Sequence, residues 1–597
     1  MTPEQTPPGP GDLSAHPDDS VPIRPARKPT AATGATDESR PTSMAPEQLG
    51  FIPRRAVPWL SPVLLAGTAV RVVLAELFGA YLDKRELQNA LPDKTFDERP
   101  DGDDTAEVWF DYVADLGDGF NATYSIAYLL AQQQLTIDGK PLPRGQMLVM
   151  GGDQVYPTPS GQQYEDRSKG PYRAALPQPP LDDTHPTIYA LPGNHDWYDG
   201  LTAFLRLFAR GQAKIGGWHT SQSRSYFAIQ LPSRWWLLAV DAQFGAYLDD
   251  PQLRYFQRVA DECLRPGDRV IVCTPSPGWV IATDDPHAFD TTDYFLRTVI
   301  APTGAEVRVM LSGDLHHYSR YTGRDRELIT SGGGGAYLYP THHLPERIDV
   351  PPKATLVRNP SPSREYRLAA TYPTKSRSRW LSAGVFFRLP WRNPAFVSFL
   401  GTVHLLLMLA LAGSAQRMSG AEQRLFTIPV VVMAMLVLGG NIVFAMPPAT
   451  GHRRPRHWVL GTLHGVAHIG LGVLGAWVWL KLPFVDLPWP LPILVAALLY
   501  LPVGGLVASQ VVSAYLLVAS VCRVNINELF AAQGIFDAKG FLRLHLSADG
   551  TLTIYPLAVD RVGRKWTPTP TAAADQPWLE PTEPLRVKLA EPPIRCR

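Results

Sequence analysis

The sequence predicts an α/β domain, an all-α bundle that crosses a membrane, and a small β-containing C-terminal region. In residues 106–345, apolar runs of strand length end in polar, glycine-containing or proline-containing loops, with helical stretches between them. Residues 393–522 hold four long apolar runs. Residues 541–559 alternate apolar and polar side chains on both sides of Asp549-Gly550, which is typical of a β-hairpin.

Composition narrows the class of protein. The chain of 597 residues is too long for one hydrophobic core. Its net charge is +1, with 56 basic and 55 acidic residues, which argues against nucleic acid as a partner. The four cysteines are scattered without metal or disulfide spacing, which suits a reducing compartment.

The N-terminal hundred residues are predicted to lie outside the α/β domain. Residues 1–50 are rich in proline, threonine, alanine and aspartate and hold few large apolar residues, so we expect disorder. Residues 51–105 are expected to form a helical lead-in. Within it, residues 59–79 carry Arg71 and Glu76, so an amphipathic or buried helix is favoured over a membrane span.

Five strands in residues 106–345 end in polar, glycine-containing or proline-containing loops, and four of these loops offer metal-binding side chains. The segments are VWFDYVADLGDG, MLVMGGDQVYP, TIYALPGNHDWYDG, DRVIVCTPSPGW and VRVMLSGDLHHYSR. Their candidate groups are Asp115, Asp118, Asp153, Asn194, His195, Asp196, Asp314, His316 and His317. The carboxyl ends of strands in an α/β domain meet at one edge, so these groups are expected to converge. So many buried carboxylates and imidazoles need cations to neutralise them.

The order GGD, GNHD and GDLHH resembles the calcineurin-like metallophosphoesterase superfamily over about residues 108–345. The resemblance implies a two-sheet α/β/β/α sandwich and two metal ions bridged by Asp153. It also places His316 on the first metal and Asn194 on the second. The implied reaction is hydrolysis of a phosphate ester by a metal-activated water, with His195 as the acid and Asp196 orienting its ring.

The first two motifs are similar to those of purple acid phosphatases. Most of the superfamily opens with Asp-x-His, whereas this chain has Asp115 and then Gly117 at the place of the histidine. Purple acid phosphatases also have glycine there, and their Gly-Asp-x-x-Tyr motif matches GDQVY with Tyr156 as a ligand. The resemblance therefore implies a first metal on Asp115, Asp153, Tyr156 and His316. The alternative is a tyrosine hydrogen-bonded within its loop.

The second metal has a less complete ligand set. Pro275 stands where the family has a histidine, and Asp314 stands at the first histidine of its Gly-His-x-His motif. The remaining set of Asp153, Asn194 and Asp314 is rich in oxygen. The pair of ions is expected to be iron or manganese, with magnesium or zinc as alternatives. Candidates to complete the shell are His287, His317, His342 and His343. Candidates for substrate contact are Arg320 and His317, with the turn backbone as the other partner for Arg320.

Four apolar runs predict membrane-crossing helices at residues 396–412, 426–446, 458–480 and 491–521. The last run would measure about 46 Å as one helix, and Pro502 could divide it, so five crossings is the alternative. Arginines alternate between the connecting loops, which places residues before 393 in the cytoplasm. With four crossings the C-terminal tail lies there too. We therefore expect a multi-pass protein of the cell membrane with its catalytic domain on the cytoplasmic face.

Two soluble segments flank the predicted bundle. Residues 346–392 are expected to be a linker ending in a basic juxtamembrane stretch. Residues 523–597 are expected to form a soluble region whose hairpin is a small accessory sheet packed on the α/β domain.

The leading functional prediction is a membrane-anchored, metal-dependent phosphoesterase. Its substrate is a phosphate ester or pyrophosphate, either lipid-linked or a soluble nucleotide. One alternative is a membrane-bound metal-binding sensor with a degenerate site, which Pro275 favours and the retained GNHD motif opposes. Another makes the bundle the functional part, with His404, His464 and His468 in its apolar runs as haem or metal ligands or as proton carriers. The non-functional alternative for these residues is neutral histidines bonded between helices.

Overall fold

The computed structural model describes residues 40–64, 67, 93–179, 186–211, 213–242, 248–355, 357–415, 420–447 and 453–597. Residues 1–39 of the predicted disordered segment lie outside the described residues, and so does most of the predicted helix 59–79, which begins at Pro62. Residues 41–597 form one compact unit.

The described residues form a mixed α/β structure with two nine-stranded sheets. The strands are β1 (Phe96–Asp97), β2 (Val108–Val113), β3 (Gln134–Ile137), β4 (Lys140–Pro143), β5 (Met147–Met150), β6 (Thr187–Ala190), β7 (Lys214–Ile215), β8 (Trp218–Thr220), β9 (Phe227–Leu231), β10 (Trp235–Ala239), β11 (Arg269–Thr274), β12 (Glu306–Ser312), β13 (Tyr318–Thr322), β14 (Glu327–Ser331), β15 (Arg347–Val350), β16 (Arg364–Tyr372), β17 (Lys539–Leu546), β18 (Leu552–Val559), β19 (Trp566–Pro568), β20 (Leu579–Pro581), β21 (Val587–Leu589) and β22 (Ile594–Cys596).

The helices connect these strands and then form the apolar bundle. They are α1 (Pro46–Leu49), α2 (Phe120–Ala131), α3 (Gly161–Tyr164), α4 (Gly170–Ala175), α5 (Asn194–Trp197), α6 (Thr202–Phe208), α7 (Asp250–Glu262), α8 (Gly278–Ile281), α9 (Asp290–Phe295), α10 (Lys375–Ser382), α11 (Val385–Arg392), α12 (Pro394–Ala415), α13 (Gly420–Ala445), α14 (Pro455–Trp479), α15 (Leu491–Leu499), α16 (Gly505–Val521) and α17 (Ile526–Ala531).

The strands that precede the candidate site lie side by side. The first sheet has the order β21-β18-β17-β2-β5-β6-β8-β7, and its ninth strand, β22, also pairs with β18. Its strands β2, β5 and β6 are parallel. In the second, whose order is β1-β9-β10-β11-β12-β14-β13-β16-β15, strands β10, β11, β12 and β14 are parallel. Since parallel strands end at the same edge, the loops after β2, β5, β6, β11 and β12 are brought together in two sets, one for each sheet.

Packing joins the sheets through one buried cluster and covers each with helices. Tyr112 and Val149 of the first sheet share this cluster with Ile271 and Leu311 of the second. Side chains of α2 pack on the other face of the first sheet, and side chains of α7 pack on the other face of the second. Apolar residues therefore face both ways from the central strands, as expected for strands that are buried on both sides.

Four helices are long and apolar enough to cross a membrane: Pro394–Ala415, Thr427–Ala445, Pro455–Trp479 and Leu491–Val521. The last contains Pro502, but it stays one element through a π-helical turn at Tyr500–Gly504. Such a turn relieves the clash that proline causes in an α-helix. After the bundle, β17 pairs with β2, so the chain enters and leaves the bundle in one folded unit. Four such helices, an even number, would leave both segments on one side of a membrane, which favours four over five.

The three histidines of the apolar helices form one hydrogen-bonded chain, in which His404 of α12 contacts His468 of α14 and His468 contacts His464 on the same helix. His404 Nε2 lies 2.9 Å from His468 Nδ1, and His468 Nε2 lies 3.2 Å from His464 Nε2. His464 also stacks on Tyr515, with ring centroids 3.9 Å apart. Because His468 directs its two nitrogens to different neighbours, the rings form a chain rather than a shared ligand set. The contact between His404 and His468 joins two helices, as the alternative of histidines bonded between helices predicts.

Two soluble segments differ from their predictions. Residues 347–372 are not only a linker, because β15 and β16 extend the second sheet beside β13. The C-terminal hairpin of β17 and β18 is not an accessory sheet, because β17 pairs with β2 inside the first sheet. The buried guanidinium of Arg543 on β17 binds both carboxylate oxygens of Asp111 on β2, at 2.8 and 3.0 Å, which fixes this pairing.

The segments before the α/β domain differ too. The short helix α1 lies within the predicted disordered segment, where Leu49 packs into the first-sheet cluster and offsets its ordering. The expected helical lead-in contains strand β1, which pairs with β9. Residues 52–58 form no helix, since prolines at 53 and 58 lack the amide hydrogen that a helix needs.

Candidate metal centre

Three aspartates at the strand ends share an uncommon backbone conformation. Asp115 after β2, Asp153 after β5 and Asp314 after β12 have φ values of 61°, 51° and 67°. Residues other than glycine rarely adopt this left-handed region, and such positions concentrate at functional sites. The loops are joined directly, because the Asp314 amide donates to Asp115 Oδ1 at 3.0 Å.

Two glycines allow this close approach of loops. A Cβ atom on Gly332, in the glycine run after β14, would overlap Asp115 Oδ2. A Cβ atom on Gly193 would overlap the carboxylate of Asp153. The glycine run after β14 therefore brings backbone close to the carboxylate of Asp115.

Tyr156 lies at the middle of the predicted ligands of the first metal. Its hydroxyl is 2.9 Å from Asp153 Oδ2, 3.2 Å from Asp115 Oδ1 and 3.1 Å from His316 Nε2. The side chain is fully buried, and its single hydroxyl proton can be donated to only one of these partners. Tyr156 therefore contacts Asp153, Asp115 and His316 directly and does more than pack its loop.

Burial and mutual repulsion oppose negative charge on these side chains. Burial, with the charges of Asp115 and Asp153, holds the pKa of the Tyr156 phenol well above its usual range. Burial, with the charges of Asp153 and Asp314, likewise raises the pKa of Asp115. Burial and Asp153 raise the pKa of Asp314 to about 7. A bound cation would reverse these shifts by favouring the ionised forms.

The donors fit a cation in kind. Asp115 Oδ2, Asn194 Oδ1 and His316 Nδ1 are buried and have no hydrogen-bond partner within the described residues. No group of three or more His, Cys, Asp and Glu side chains in the described ranges is arranged to hold a metal ion. The set that the structure does bring together is completed by a tyrosine, Tyr156.

The predicted catalytic pair is separated in the structure. The ring of His195 directs Nδ1 at the carbonyl of Pro157, 2.7 Å away. Burial lowers the pKa of His195 to about 4, so the ring is neutral. The prediction that Asp196 orients this ring is wrong. Asp196 lies at the third position of helix α5, so its carboxylate turns back to accept from the Gly193 amide at 2.9 Å.

The remaining contacts of Asp196 are structural. Its two carboxylate oxygens accept from the Gln154 amide at 3.3 and 3.2 Å, and the Tyr164 hydroxyl also donates to it. Asp196 therefore binds the GNHD loop to the loop of Asp153. This carboxylate supports the backbone that presents His195.

Pro275 lies at the site without bringing a ligand. Its carbonyl accepts from the Gly313 amide at 3.2 Å, so the TPSP loop adjoins the loop of Asp314. Among the four histidine candidates for the missing position, His317 is buried beside Tyr339, and neither of its ring nitrogens has a partner within the described residues.

The other three histidine candidates have contacts elsewhere. His287 pairs with Asp290 at 3.1 Å, and His342 Nδ1 lies 2.9 Å from the Ser378 hydroxyl. His343 packs its ring against His342, with centroids 4.1 Å apart. These contacts do not place the three rings among the predicted metal ligands.

Arg320 makes neither of the two contacts predicted for it, with the substrate or with the turn backbone. Its guanidinium binds both carboxylate oxygens of Glu591 at 2.8 and 2.6 Å, and it binds Glu327 at 2.9 Å. Two carboxylates therefore occupy this side chain, and the prediction for Arg320 is wrong. The cause is the C-terminal tail, which brings Glu591 to strand β13.

Two residues far from the motifs lie at the centre and carried no signal in the sequence. Trp59 sets its ring edge-on to Tyr156 and His195, at 5.8 Å from each. Its indole donates to Asp118 Oδ2 at 3.2 Å, so Asp118 holds this cover in place. Lys539 of β17 is fully buried, and its amine has no hydrogen-bond partner within the described residues. Burial lowers the pKa of this amine to about 8, although nearby carboxylates oppose the shift.

Comparison with known proteins adds little to what the side chains of the candidate metal centre show. No protein-family model matches the chain, and no curated protein matches it. The chain has a likeness to a solved structure described as "GAP50 the anchor in the inner membrane complex of Plasmodium". That likeness has 14% identity, covers 39% of this chain and 74% of that one, and has a TM-score of 0.29.

A second likeness is to a structure described as "Structure of PhoD". It has 10% identity over 39% of this chain and 58% of that one, with a TM-score of 0.25. The chain thus spans little more than half the length of that structure. At TM-scores this low, neither likeness indicates a function for this chain.

Proposed function

We propose that the protein is a membrane-anchored, metal-dependent phosphoesterase. The observation that carries the proposal is the position of the Tyr156 hydroxyl, 2.9–3.2 Å from Asp153, Asp115 and His316 at the ends of buried strands. Adjacent ligands of an octahedral ion with bonds of about 2.1 Å are about 3 Å apart, which matches these spacings. The two sheets and their covering helices are proposed to form the α/β/β/α sandwich of this class.

The proposed ligands divide between two ions. The first set is Asp115, Asp153, Tyr156 and His316, and the second is Asp153, Asn194 and Asp314, with His317, whose buried ring nitrogens have no partner within the described residues, as a candidate addition. Iron or manganese suits these oxygen-rich sets, with magnesium or zinc as alternatives. Such ions, when bound, neutralise phosphoryl oxygens and acidify a water molecule.

The protein itself supplies proton control and exclusion of solvent. The Pro157 carbonyl requires a proton on His195 Nδ1, which leaves Nε2 with its lone pair. A phosphoryl anion beside this ring would raise its pKa, so substrate binding would prepare His195 to protonate the leaving oxygen. Trp59 covers both His195 and Tyr156 and would limit access of bulk water.

The proposed location follows from the bundle and its loops. The arginine distribution supports a cytoplasmic catalytic domain in the cell membrane. A substrate at this position is a phosphorylated compound, either lipid-linked or a soluble nucleotide.

A second candidate is a membrane-bound metal-binding sensor without turnover. Pro275, which cannot ligate, at a position where the resemblance expects histidine, favours it. This candidate and the phosphoesterase share the metal ligands and differ in catalysis.

Hydrolysis assays on the purified full-length chain separate the two candidates. Phosphate monoesters, diesters and pyrophosphates are presented before chelation, after chelation and after return of Mn²⁺ or iron. The phosphoesterase predicts turnover that disappears on chelation and returns with metal. Stoichiometric metal without turnover on any substrate would favour the sensor.

A further inference from the structure

A cavity of about 1050 Å³ lies where the α/β domain meets the first membrane helix. Its walls come from residues 53–58, 119–122, 391–394 and 564–566, with further residues from other segments. Five cations line it: Arg54, Arg55, Arg392, Arg564 and Lys565. No aspartate or glutamate is among the described residues that line it, so this lining is strongly positive. None of the proposed metal ligands lines it.

Three of these cations lack an acidic partner. Arg54 pairs with Asp166 at 2.7 Å, and Arg564 pairs with Asp537 at 2.8 Å. Arg55, Arg392 and Lys565 are exposed and have no carboxylate within 4.0 Å among the described residues.

Burial and neighbouring positive charges both disfavour the charged form of Arg392, as expected in a cavity with more cations than carboxylates. Burial, with the neighbouring charges of Arg564 and Arg388, lowers the pKa of Arg392, while its guanidinium lies 5.0 Å from the ring of Phe536. The cavity therefore concentrates positive charge that an anionic ligand would neutralise.

The cavity adjoins the start of the first candidate membrane span. Pro394, in its wall, is the first residue of the first candidate span. The preceding helices α10 and α11 expose Trp380, Phe387 and Trp391, at 73%, 82% and 85%, on a face away from the core. Exposed tryptophans and arginines next to a span are typical of the water–lipid interface.

We propose that this cavity binds the anionic headgroup of a membrane phospholipid. The phosphate would lie among Arg55, Arg392 and Lys565, and the acyl chains would extend past Trp391 into the bilayer. A zwitterionic headgroup fits less well, because its ammonium group would meet only cations and no carboxylate. The proposal is independent of phosphoester hydrolysis.

The wall of the cavity continues into the candidate metal centre. The Val57 amide donates to Asp118 Oδ1 at 2.8 Å, and Trp59, two residues later, covers Tyr156 and His195. A headgroup bound to Arg55 would therefore hold the segment that carries this cover.

The test measures binding of short-chain lipids to the full-length chain in a neutral detergent, by intrinsic tryptophan fluorescence. The probe is dioctanoyl phosphatidylglycerol, and dioctanoyl phosphatidylcholine and inorganic phosphate are the comparison ligands. The variants are Arg392→Gln and Lys565→Gln. Arg392→Lys and Lys565→Arg keep the charge, and Arg595→Gln removes an exposed cation that does not line the cavity.

We expect saturable binding of the anionic lipid, with affinity lowered about fivefold by each cation-to-glutamine change. The charge-keeping variants and Arg595→Gln should bind as the parent chain does. Equal binding of phosphatidylcholine, or unchanged affinity in both glutamine variants, would overturn the lipid site. Inorganic phosphate binding as tightly as the lipid would assign the cavity to free phosphate instead.

Discussion

Tyr156→Phe removes one oxygen from the candidate metal centre and keeps the ring. That ring packs with Val57 and Ala336, so its apolar contacts survive the change. In metal-free protein the hydroxyl bonds to Asp153 at 2.9 Å, and its loss leaves buried polar partners unsatisfied. Such a loss costs about 1–3 kcal/mol, so the free energy of unfolding should fall by that amount.

The metal-loaded protein should respond more strongly. A phenolate and two carboxylates are three anionic oxygen donors, which favour a hard trivalent ion such as Fe³⁺ at the first site. Phenolate-to-iron charge transfer would then colour the protein, as the resemblance to purple acid phosphatases implies. Tyr156→Phe should abolish that band and weaken the first site by at least about a hundredfold, because even supporting residues contribute about ten- to a hundredfold.

Tyr172→Phe is the matched control. Tyr172 is also fully buried in the α/β domain, but its hydroxyl has no hydrogen-bond partner within the described residues. Its removal should leave metal content and spectrum unchanged. The assays are metal analysis, visible absorption and thermal unfolding of both variants in detergent. A Tyr156→Phe protein with parental metal content and spectrum would return Tyr156 to a hydrogen-bonding role in its loop.

Three further predictions follow from the catalytic ring, the bundle and a buried amine. His195→Ala should lower phosphoesterase turnover by about 10²–10⁴-fold at unchanged metal content, and unchanged turnover would remove the acid role. Cysteine-accessibility labelling should place residues 340 and 560 both in the cytoplasm, and labelling from opposite sides would require an odd number of crossings. The pKa of Lys539 is lowered to about 8 from 10.5, so the folded state binds fewer protons between these values. Stability should therefore rise with pH across this window by about 3 kcal/mol, and a Lys539→Met chain with the same pH slope would contradict the assignment.

The sequence predicted the elements that have strong local patterns. The strands before Asp115, Asp153 and Asp314 are continuous apolar runs, and the structure confirms β2, β5 and β12 there. The structure also confirms the four apolar helices. Their length and lack of charge are visible in the local sequence and do not depend on contacts with distant residues. Tyr156 was found through motif spacing, although its contacts depend on three loops.

Long-range pairing explains what the sequence did not predict. Arg543 and Asp111 each sit in an apolar strand, and only their mutual bond, across 432 positions, reveals that the hairpin enters the first sheet. Glu591 binds Arg320 across 271 positions, a contact that is equally invisible in the local sequence. Asp196 follows His195 directly, yet helix geometry turns its carboxylate to the Gly193 amide instead.

Metal stoichiometry of three purified proteins tests the central claim most directly. The wild-type chain should carry two ions, and Asp153→Asn, which alters the proposed bridging ligand, should lose most of both. Asp118→Asn is the control, since this buried carboxylate, in the loop of Asp115, accepts from Val57, Trp59 and Tyr337 and is not a proposed ligand. It should keep both ions, and turnover should follow metal content across the three proteins. Equal metal content in Asp153→Asn and the wild type, or full turnover in a metal-free chain, would contradict a metal-dependent phosphoesterase centred on Asp153.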